Sequence, residues 1–163
     1  MYFLGLMYAK GHGIPKDVKK AFTFFEKAAK EENVEAIYNL GIHYFEGLGV
    51  SQDANRGMEL ILEASKKGSG DAYAFLGKLY CEIKDYGEAL DYFTEGVKLD
   101  NAECQCCLGS MFGEGMGVPK NLEVAFRLIK IAAEKNNTSA QFLLGHMYCY
   151  GNGTIQDYGQ AFK

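Results

Sequence analysis

The sequence predicts an all-α fold in which helical hairpins stack side by side to form a solenoid. Three features predict it: an apolar stripe that recurs along the whole chain, glycine pairs that follow most copies of that stripe, and a second stripe behind each glycine pair. Neither helix of such a hairpin can bury its stripe alone. Neighbouring hairpins must therefore stack into a continuous curved array.

The first helix of each hairpin is marked by a Leu-Gly pair followed three residues later by an aromatic residue. Successive leucines are 36, 36, 32 and 36 residues apart. A small residue, the leucine and the aromatic residue, each four positions apart, form one helical stripe. A glycine inside a helix costs about 1 kcal/mol relative to alanine, so we expect these glycines where two helix backbones approach closely. The leucines are Leu4, Leu40, Leu76, Leu108 and Leu144, and the small residues are Ala36, Ala72, Cys104 and Ala140.

A Gly-x-Gly segment precedes the second helix and follows the aromatic residue in four of the five copies. The first glycine is placed to end the first helix in the left-handed conformation. An Asp or Asn a few residues later is a good N-cap for the helix that follows. The glycine pairs begin at Gly11, Gly47, Gly115 and Gly151, and the cap residues are Asp17, Asp53, Asn121 and Asp157.

The third copy departs from this pattern. Only the four residues Cys-Glu-Ile-Lys separate Tyr80 from the cap residue Asp85, and they contain no Gly-x-Gly segment. The segment that follows has the spacing of a tetratricopeptide (TPR) hairpin. We therefore divide the chain into five repeats, of which the third is TPR-like and the first and last are truncated: residues 1–32, 33–68, 69–100, 101–136 and 137–163.

Composition and charge exclude several classes of partner. The 163 residues carry a formal net charge of -4, which argues against nucleic acid because phosphate binding needs clustered Lys and Arg. No apolar run approaches the roughly 20 residues of a bilayer-spanning helix, so no direct membrane insertion is expected. The apolar N-terminus is a copy of the internal motif with no basic residues ahead of it, and we exclude it as a signal peptide.

Residues 36–65 closely resemble the Sel1-like repeat (SLR) family. They place Ala36, the Leu40-Gly41 pair, Tyr44, Gly47, Gly49, Val50 and Asp53 at that family's spacing, with Gly57 in place of the usual alanine. The resemblance extends over essentially all 163 residues and implies a right-handed superhelical α–α solenoid. The chain begins within a first helix and is expected to end at Lys163 inside a second. It is therefore expected to be an excerpt from a longer protein.

The resemblance implies a non-enzymatic scaffold or adaptor that binds a partner protein or peptide on the concave face formed by first helices. By analogy with TPR proteins, the contact residues lie beside each Leu-Gly pair, and their aromatic, small and acidic character suits an extended or helical peptide with some basic character. The predicted contact residues are Tyr38, Ile42, Phe45, Glu46, Lys78, Glu82, Ser110, Glu114, Phe142, His146 and Tyr150, accompanied by the small residues Ala74 and Cys106. The identity of the partner is not predicted.

Five cysteines, an odd number, do not suit a complete disulfide framework. The resemblance implies that some relatives join successive hairpins with a disulfide. In these relatives a cysteine occupies the position of the small residue in the first helix. Here only Cys104 fits, and the end of the preceding helix contains no thiol. We expect small thiols packed in the core of a protein in a reducing compartment, which favours a cytoplasmic location.

Two alternatives of the same fold stay open: a metal- or haem-binding assembly factor, and a secreted protein that meets host factors. Cys104 and Cys107 are spaced i, i+3 on one helix, as are His146 and Cys149, but these pairs lack the closed ligand motifs of zinc sites. We predict no metal site and no cofactor. The lone residues His12 and His43 are expected to be solvated or in loops.

Catalytic motifs are absent from the sequence. The Gly-x-Gly segments recur with the hairpin period and precede no strand, which excludes dinucleotide binding. The carboxylates are spread as helix caps and surface charges, with no convergent pair. We therefore do not expect an enzyme.

Overall fold

The computed structural model describes residues 1–161, and this part of the chain forms ten α-helices and no β-strand. Among them, none is both long and apolar enough to cross a lipid bilayer. The expected chain end at Lys163 inside a helix lies outside the described residues. The helices are α1 (Tyr2–Lys10), α2 (Val18–Lys30), α3 (Val34–Glu46), α4 (Ala54–Lys66), α5 (Gly70–Glu82), α6 (Tyr86–Lys98), α7 (Ala102–Glu114), α8 (Leu122–Glu134), α9 (Thr138–Tyr150) and α10 (Tyr158–Ala161).

These helices group into two compact units, residues 1–72 and the residues from 73 onward. In the first unit, α2 packs against both α1 and α3, and α3 packs against α4. In the second unit, α7 packs against α6 and α8, and α9 packs against α8 and α10. Within each unit these neighbouring helices cover one another's apolar stripes, and the prediction of an all-α solenoid is confirmed.

The second helices begin at the predicted N-caps. The side chains of Asp17 and Asp53 each accept a hydrogen bond from the backbone amide three residues later, over 3.0 Å and 2.9 Å. Asn121 and Asp157 do the same for α8 and α10, each over 3.0 Å. Because the first amides of a helix have no partner inside it, such a cap stabilises the helix by about 1 kcal/mol.

The first glycine of each Gly-x-Gly segment ends a first helix in the left-handed conformation, as predicted. Its φ angle is 75° at Gly11 and 74° at Gly47. The third repeat has no glycine at this place, and Lys84 adopts a φ of 62° instead. This hairpin closes within residues 83–85, which explains the shorter spacing of the third repeat.

The second glycine of the segment packs against the preceding repeat, a role that was not predicted from the sequence. A Cβ on Gly49 would lie 2.5 Å from the carbonyl oxygen of Val18, and one on Gly153 would lie 2.0 Å from that of Leu122. Val18 and Leu122 are the first residues of the second helix in the preceding repeat. Gly13, in the first repeat, has nothing within 4 Å of the same position. The loop therefore serves as a stacking contact between repeats wherever a repeat precedes it.

The glycine of the Leu-Gly pair faces the largest buried residue of the second helix. A Cβ on Gly41 would lie 2.8 Å from Cγ1 of Ile61 and 3.0 Å from the carbonyl oxygen of Gly57, so two backbones approach closely, as expected. At Gly5 and Gly77 the space is filled instead by a phenylalanine ring, 2.6 Å and 2.5 Å from such a Cβ. At these two positions a ring occupies the room that the glycine leaves, and the close backbone approach stays a prediction.

Candidate functional site

A cleft of about 430 Å³ opens in the second unit and is lined mainly by the first helices α5, α7 and α9. The cleft brings together three of the predicted contact residues, Lys78, Glu82 and Ser110. The remaining lining residues were not predicted as contacts, apart from Cys106, one of the two small residues expected to accompany them. They are Cys81, Phe93, Glu103, Cys106, Cys107, Met111, Met116, Ser139 and Leu143.

Glu103 connects three helices at this cleft. Its carboxylate accepts a hydrogen bond from the Lys78 ammonium of α5 and another, 2.6 Å long, from Nδ2 of Asn137, the N-cap of α9. Burial raises the pKa of Glu103, but the bonds from Lys78 and Asn137 outweigh it, and the pKa is lowered overall. Burial likewise lowers the pKa of Lys78, and the bond to Glu103 more than offsets this. Both groups are charged at neutral pH, so the positive charge of Lys78 is compensated.

Glu103 was not predicted as a site residue, although the sequence contains a periodic signal for it. Glu35 stands at the equivalent position of α3, one residue before the small residue of the stripe. Its carboxylate accepts a hydrogen bond of 3.4 Å from Oγ of Ser69, just before the next first helix. An acidic residue at this position therefore recurs as an acceptor that links one first helix to the start of the next.

Sulfur atoms are prominent in the lining of the cleft. Burial raises the pKa of the Cys106 thiol to about 11 and that of the Cys107 thiol to about 12. Burial also raises the pKa of Cys81. These cysteines are neutral thiols at pH 7, and together with Met111 and Met116 they provide a polarizable apolar surface rather than nucleophiles.

A second, smaller cleft of about 350 Å³ contains three further predicted contact residues, all on α9. The side chains of Phe142 and Tyr150 are 76% and 68% exposed. The rings of His146 and Tyr150 contact each other, with centroids 4.5 Å apart. Glu114 is exposed at the end of α7 and lines neither of these two clefts.

The first unit contains the other four predicted contact residues, all on α3. Glu46 is exposed, and the remaining three are half-buried. The cleft described in this unit, of about 360 Å³, is lined by Leu40, Tyr44 and charged side chains of α2 and α4. It includes none of the four, whose role stays a prediction: Tyr38, Ile42, Phe45 and Glu46.

His43 is buried, and the expectation that it is solvated or in a loop was wrong. It stands three residues after Leu40, at a position that is occupied by Met111 and Met147 in later repeats and faces the core. Its Nδ1 lies 2.7 Å from the carbonyl oxygen of Leu48, so we assign the proton to Nδ1, which donates to that oxygen. Burial lowers the pKa of His43, although the bond to Leu48 acts in the opposite direction.

The ligand set considered for the metal alternative is not assembled in residues 1–161. This part of the chain holds no group of three or more His, Cys, Asp or Glu side chains placed to bind a metal ion. Cys104 is buried against α6, where a Cβ on Gly96 would lie 2.1 Å from its sulfur, whereas Cys107 lines the cleft. All five cysteines are thiols rather than disulfides.

Comparison with known families covers the whole chain. The Sel1 repeat family model matches five consecutive segments: residues 1–33, 34–69, 70–101, 102–137 and 138–163. The third of these is the repeat that lacks the Gly-x-Gly segment. A comparison with curated proteins found no match.

Several solved structures are similar to this chain. The Sel1 repeat protein from Oxalobacter formigenes is 31% identical with a TM-score of 0.83, over 98% of this chain and 67% of that one. For c5321, a protective antigen present in uropathogenic Escherichia coli strains with an SLR fold, the identity is 30% and the TM-score 0.74, over 98% and 35% of the two chains. Immunity protein Pa5087 from Pseudomonas aeruginosa, 18% identical with a TM-score of 0.73 over 98% and 60%, shares the fold. This chain thus spans one third to two thirds of the length of these proteins.

Proposed function

The chain belongs to the Sel1 repeat family, and from this premise we propose that it is a non-enzymatic scaffold that binds a partner protein through the face formed by its first helices. Solenoids of this family are generally protein-interaction scaffolds. The observation that carries the proposal for this chain is the cleft on α5, α7 and α9, which joins Lys78, Glu82 and Ser110 from two successive repeats.

The chemistry of this face suits a protein segment with basic character. Glu82 and Glu114 end α5 and α7, both are exposed, and neither forms a salt bridge within residues 1–161. Lys78 is paired with Glu103 and leaves the face with a surplus of negative charge. An apolar cleft beside uncompensated carboxylates favours a partner that presents apolar and cationic side chains together.

Affinity capture with matched variants tests the proposal. Phe142, a predicted contact, and Tyr158 on the second helix α10 are 76% and 61% exposed, so replacing either with alanine removes an exposed ring without opening the core. We expect Phe142→Ala to lower recovery of the captured partner by about tenfold, the effect of losing about 1.4 kcal/mol of binding energy. Tyr158 lines neither cleft of the proposed face, so Tyr158→Ala is the control and should recover the partner like the unmodified chain, with recovery quantified by mass spectrometry.

Ser110→Arg probes the cleft on α5, α7 and α9. Ser110 lines this cleft, and a longer side chain at that position occupies its volume. We expect this variant to keep its helical circular dichroism and to lose the partner. Full recovery with both Phe142→Ala and Ser110→Arg would show that the partner binds elsewhere on the chain and would reject the proposed face.

A further inference from the structure

The cleft on α5, α7 and α9 has an apolar floor of unusual composition. Phe93 and Met111 form its deepest part, each 1% exposed. Met116, in the Gly-x-Gly segment after α7, and the thiols of Cys106 and Cys107 surround this floor. An aromatic ring and a cluster of neutral sulfur atoms therefore face the same space.

Such a floor favours an aromatic side chain as occupant. Thioether sulfur makes favourable contacts with the edges of aromatic rings, and the half-buried side chains of Met116, Cys107 and Leu143 offer the accessible surface for such contacts. The volume of about 430 Å³ is at the lower end of the roughly 300–1,000 Å³ of ligand pockets. It is large enough for one ring together with the peptide that carries it, and too small for a folded domain.

The charges at the cleft favour a cation beside that ring. Of its three charged lining residues, Lys78 and Glu103 form an ion pair with each other. Glu82, on the last turn of α5, is exposed and forms no salt bridge within the described residues. The net result is one uncompensated carboxylate next to an apolar floor, which is complementary to a lysine or arginine that follows or precedes an aromatic residue.

We propose that this cleft binds a peptide segment by inserting an aromatic side chain against Met116, Cys107 and Leu143, above the buried Phe93 and Met111, while an adjacent lysine or arginine of the same segment pairs with Glu82. The inference rests on the proposed scaffold function and specifies the partner's chemistry. It assigns the specificity of this chain to one cleft in the second unit.

A selection from phage-displayed random peptides against the whole chain tests this specificity. We expect the enriched peptides to share an aromatic residue within two positions of a lysine or arginine. The chain contains no tryptophan, so a selected peptide that contains tryptophan reports its own burial by a blue shift of its emission when the chain is added.

Thiol protection then locates the bound peptide. Cys81 and Cys107 line the cleft, whereas Cys149 lines the other cleft on α9 and reports on binding there. We expect a saturating selected peptide to slow alkylation of Cys81 and Cys107 by about fivefold or more and to leave Cys149 unchanged, as measured by mass spectrometry, because bound side chains exclude the reagent.

Charge reversal provides the matched variants. Glu82 and Glu134 are each the last residue of a helix and exposed, but only Glu82 lines the cleft. We expect Glu82→Lys to weaken binding of the selected peptides by about tenfold or more, and Glu134→Lys to leave it nearly unchanged.

The outcomes separate this inference from the function on which it rests. Peptides that protect Cys81 and Cys107 but lack the aromatic and basic pair, or that bind Glu82→Lys as tightly as the unmodified chain, would overturn the specificity and leave the scaffold function standing. If the enriched peptides protect Cys149 instead of Cys81 and Cys107, the specificity falls and the face of first helices stands. If no peptide is enriched, or none slows alkylation of any of the three cysteines, the specificity and the proposed binding face fall together.

Discussion

Gly109 and Gly113 lie on the same helix, and an identical side chain added to each would meet different surroundings. A Cβ on Gly109 would lie 2.8 Å from Cγ1 of Ile129 and 3.2 Å from the carbonyl oxygen of Ala125. A Cβ on Gly113 would lie 3.5 Å from the side chain of Ala125, an ordinary contact. Close packing therefore offsets the low helix propensity of glycine at Gly109, whereas Gly113 has no comparably close contact.

Replacing Gly109 with alanine should lower the free energy of unfolding by about 1–3 kcal/mol, because the added methyl group forces the helices apart. Gly113→Ala, on the same helix, should leave it unchanged or raise it by up to about 1 kcal/mol through helix propensity. Urea unfolding followed by circular dichroism measures both. Equal effects of the two substitutions would contradict the role given to the Leu-Gly pair.

His43 should make the stability of the chain depend on pH. Its pKa is lowered in the folded state from the ordinary 6.5, mainly by burial, so the unfolded state binds the proton more readily. The stability that this difference provides is present above the unfolded pKa and is lost as the pH falls below it. We expect the thermal midpoint to decrease as the pH falls below the ordinary pKa of histidine, and we expect His43→Gln to make this decrease smaller.

Comparing His43→Gln with the unmodified chain cancels the contributions of other titrating groups. One of these is Glu35, whose pKa is raised by burial and by the nearby Asp71. If the midpoints of His43→Gln and the unmodified chain decrease in parallel, the ring does not control this pH response.

The hairpin is the element that repeats. The loop between its two helices packs against the preceding repeat. Within the first unit, Gly13 and Gly49 adopt nearly the same left-handed conformation, with φ of 74° and 75°. A Cβ on Gly49 would lie 2.5 Å from the carbonyl oxygen of Val18, and one on Gly13 would meet nothing within 4 Å. These two glycines therefore share the same backbone strain on substitution and differ only in the contact with the preceding repeat.

The alanine variants of these two glycines isolate that contact. Both should lose about 1–2 kcal/mol from the left-handed backbone. Gly49→Ala should lose at least about 1 kcal/mol more, because the methyl group collides with the start of α2. Chemical unfolding of the two variants side by side gives the difference, and a difference near zero would show that the loop does not support the stacking of repeats.

Net charge acts at the scale of the whole molecule. The formal net charge of -4 at pH 7 and the exposed Glu82 and Glu114 give the chain a field that attracts cations. Such a field accelerates the encounter with an oppositely charged partner more than it slows its departure, and salt screens it over a distance of about 8 Å at physiological ionic strength.

Binding of a cationic selected peptide should therefore weaken as salt is added, chiefly through the association rate. Surface plasmon resonance between about 0.05 M and 0.5 M NaCl should show a larger change in the association than in the dissociation rate constant. An association rate that is independent of salt would remove the electrostatic argument for a basic partner.

The candidate site was predictable only in part. Lys78, Glu82 and Ser110 could be placed on one face because a first helix presents residues near its Leu-Gly pair in each repeat. Glu103 and Met116 could not, because the first acts through a partner 25 residues away and the second lies in a loop outside the stripe. The sequence also suggested nothing about the depth of the cleft, which depends on how large side chains such as Phe93 fill the space beneath it.

The sequence by itself determined the helices, their ends and their period, since caps such as Asp17 and left-handed glycines such as Gly47 act within a few residues of the backbone that they stabilise. Only the tertiary structure decided the burial of His43, the stacking role of Gly49 and the linkage of Glu103 to Asn137, 34 residues away. These depend on which side chains neighbouring hairpins bring together. The period of the repeats shows that hairpins stack, but it does not show which atoms then touch.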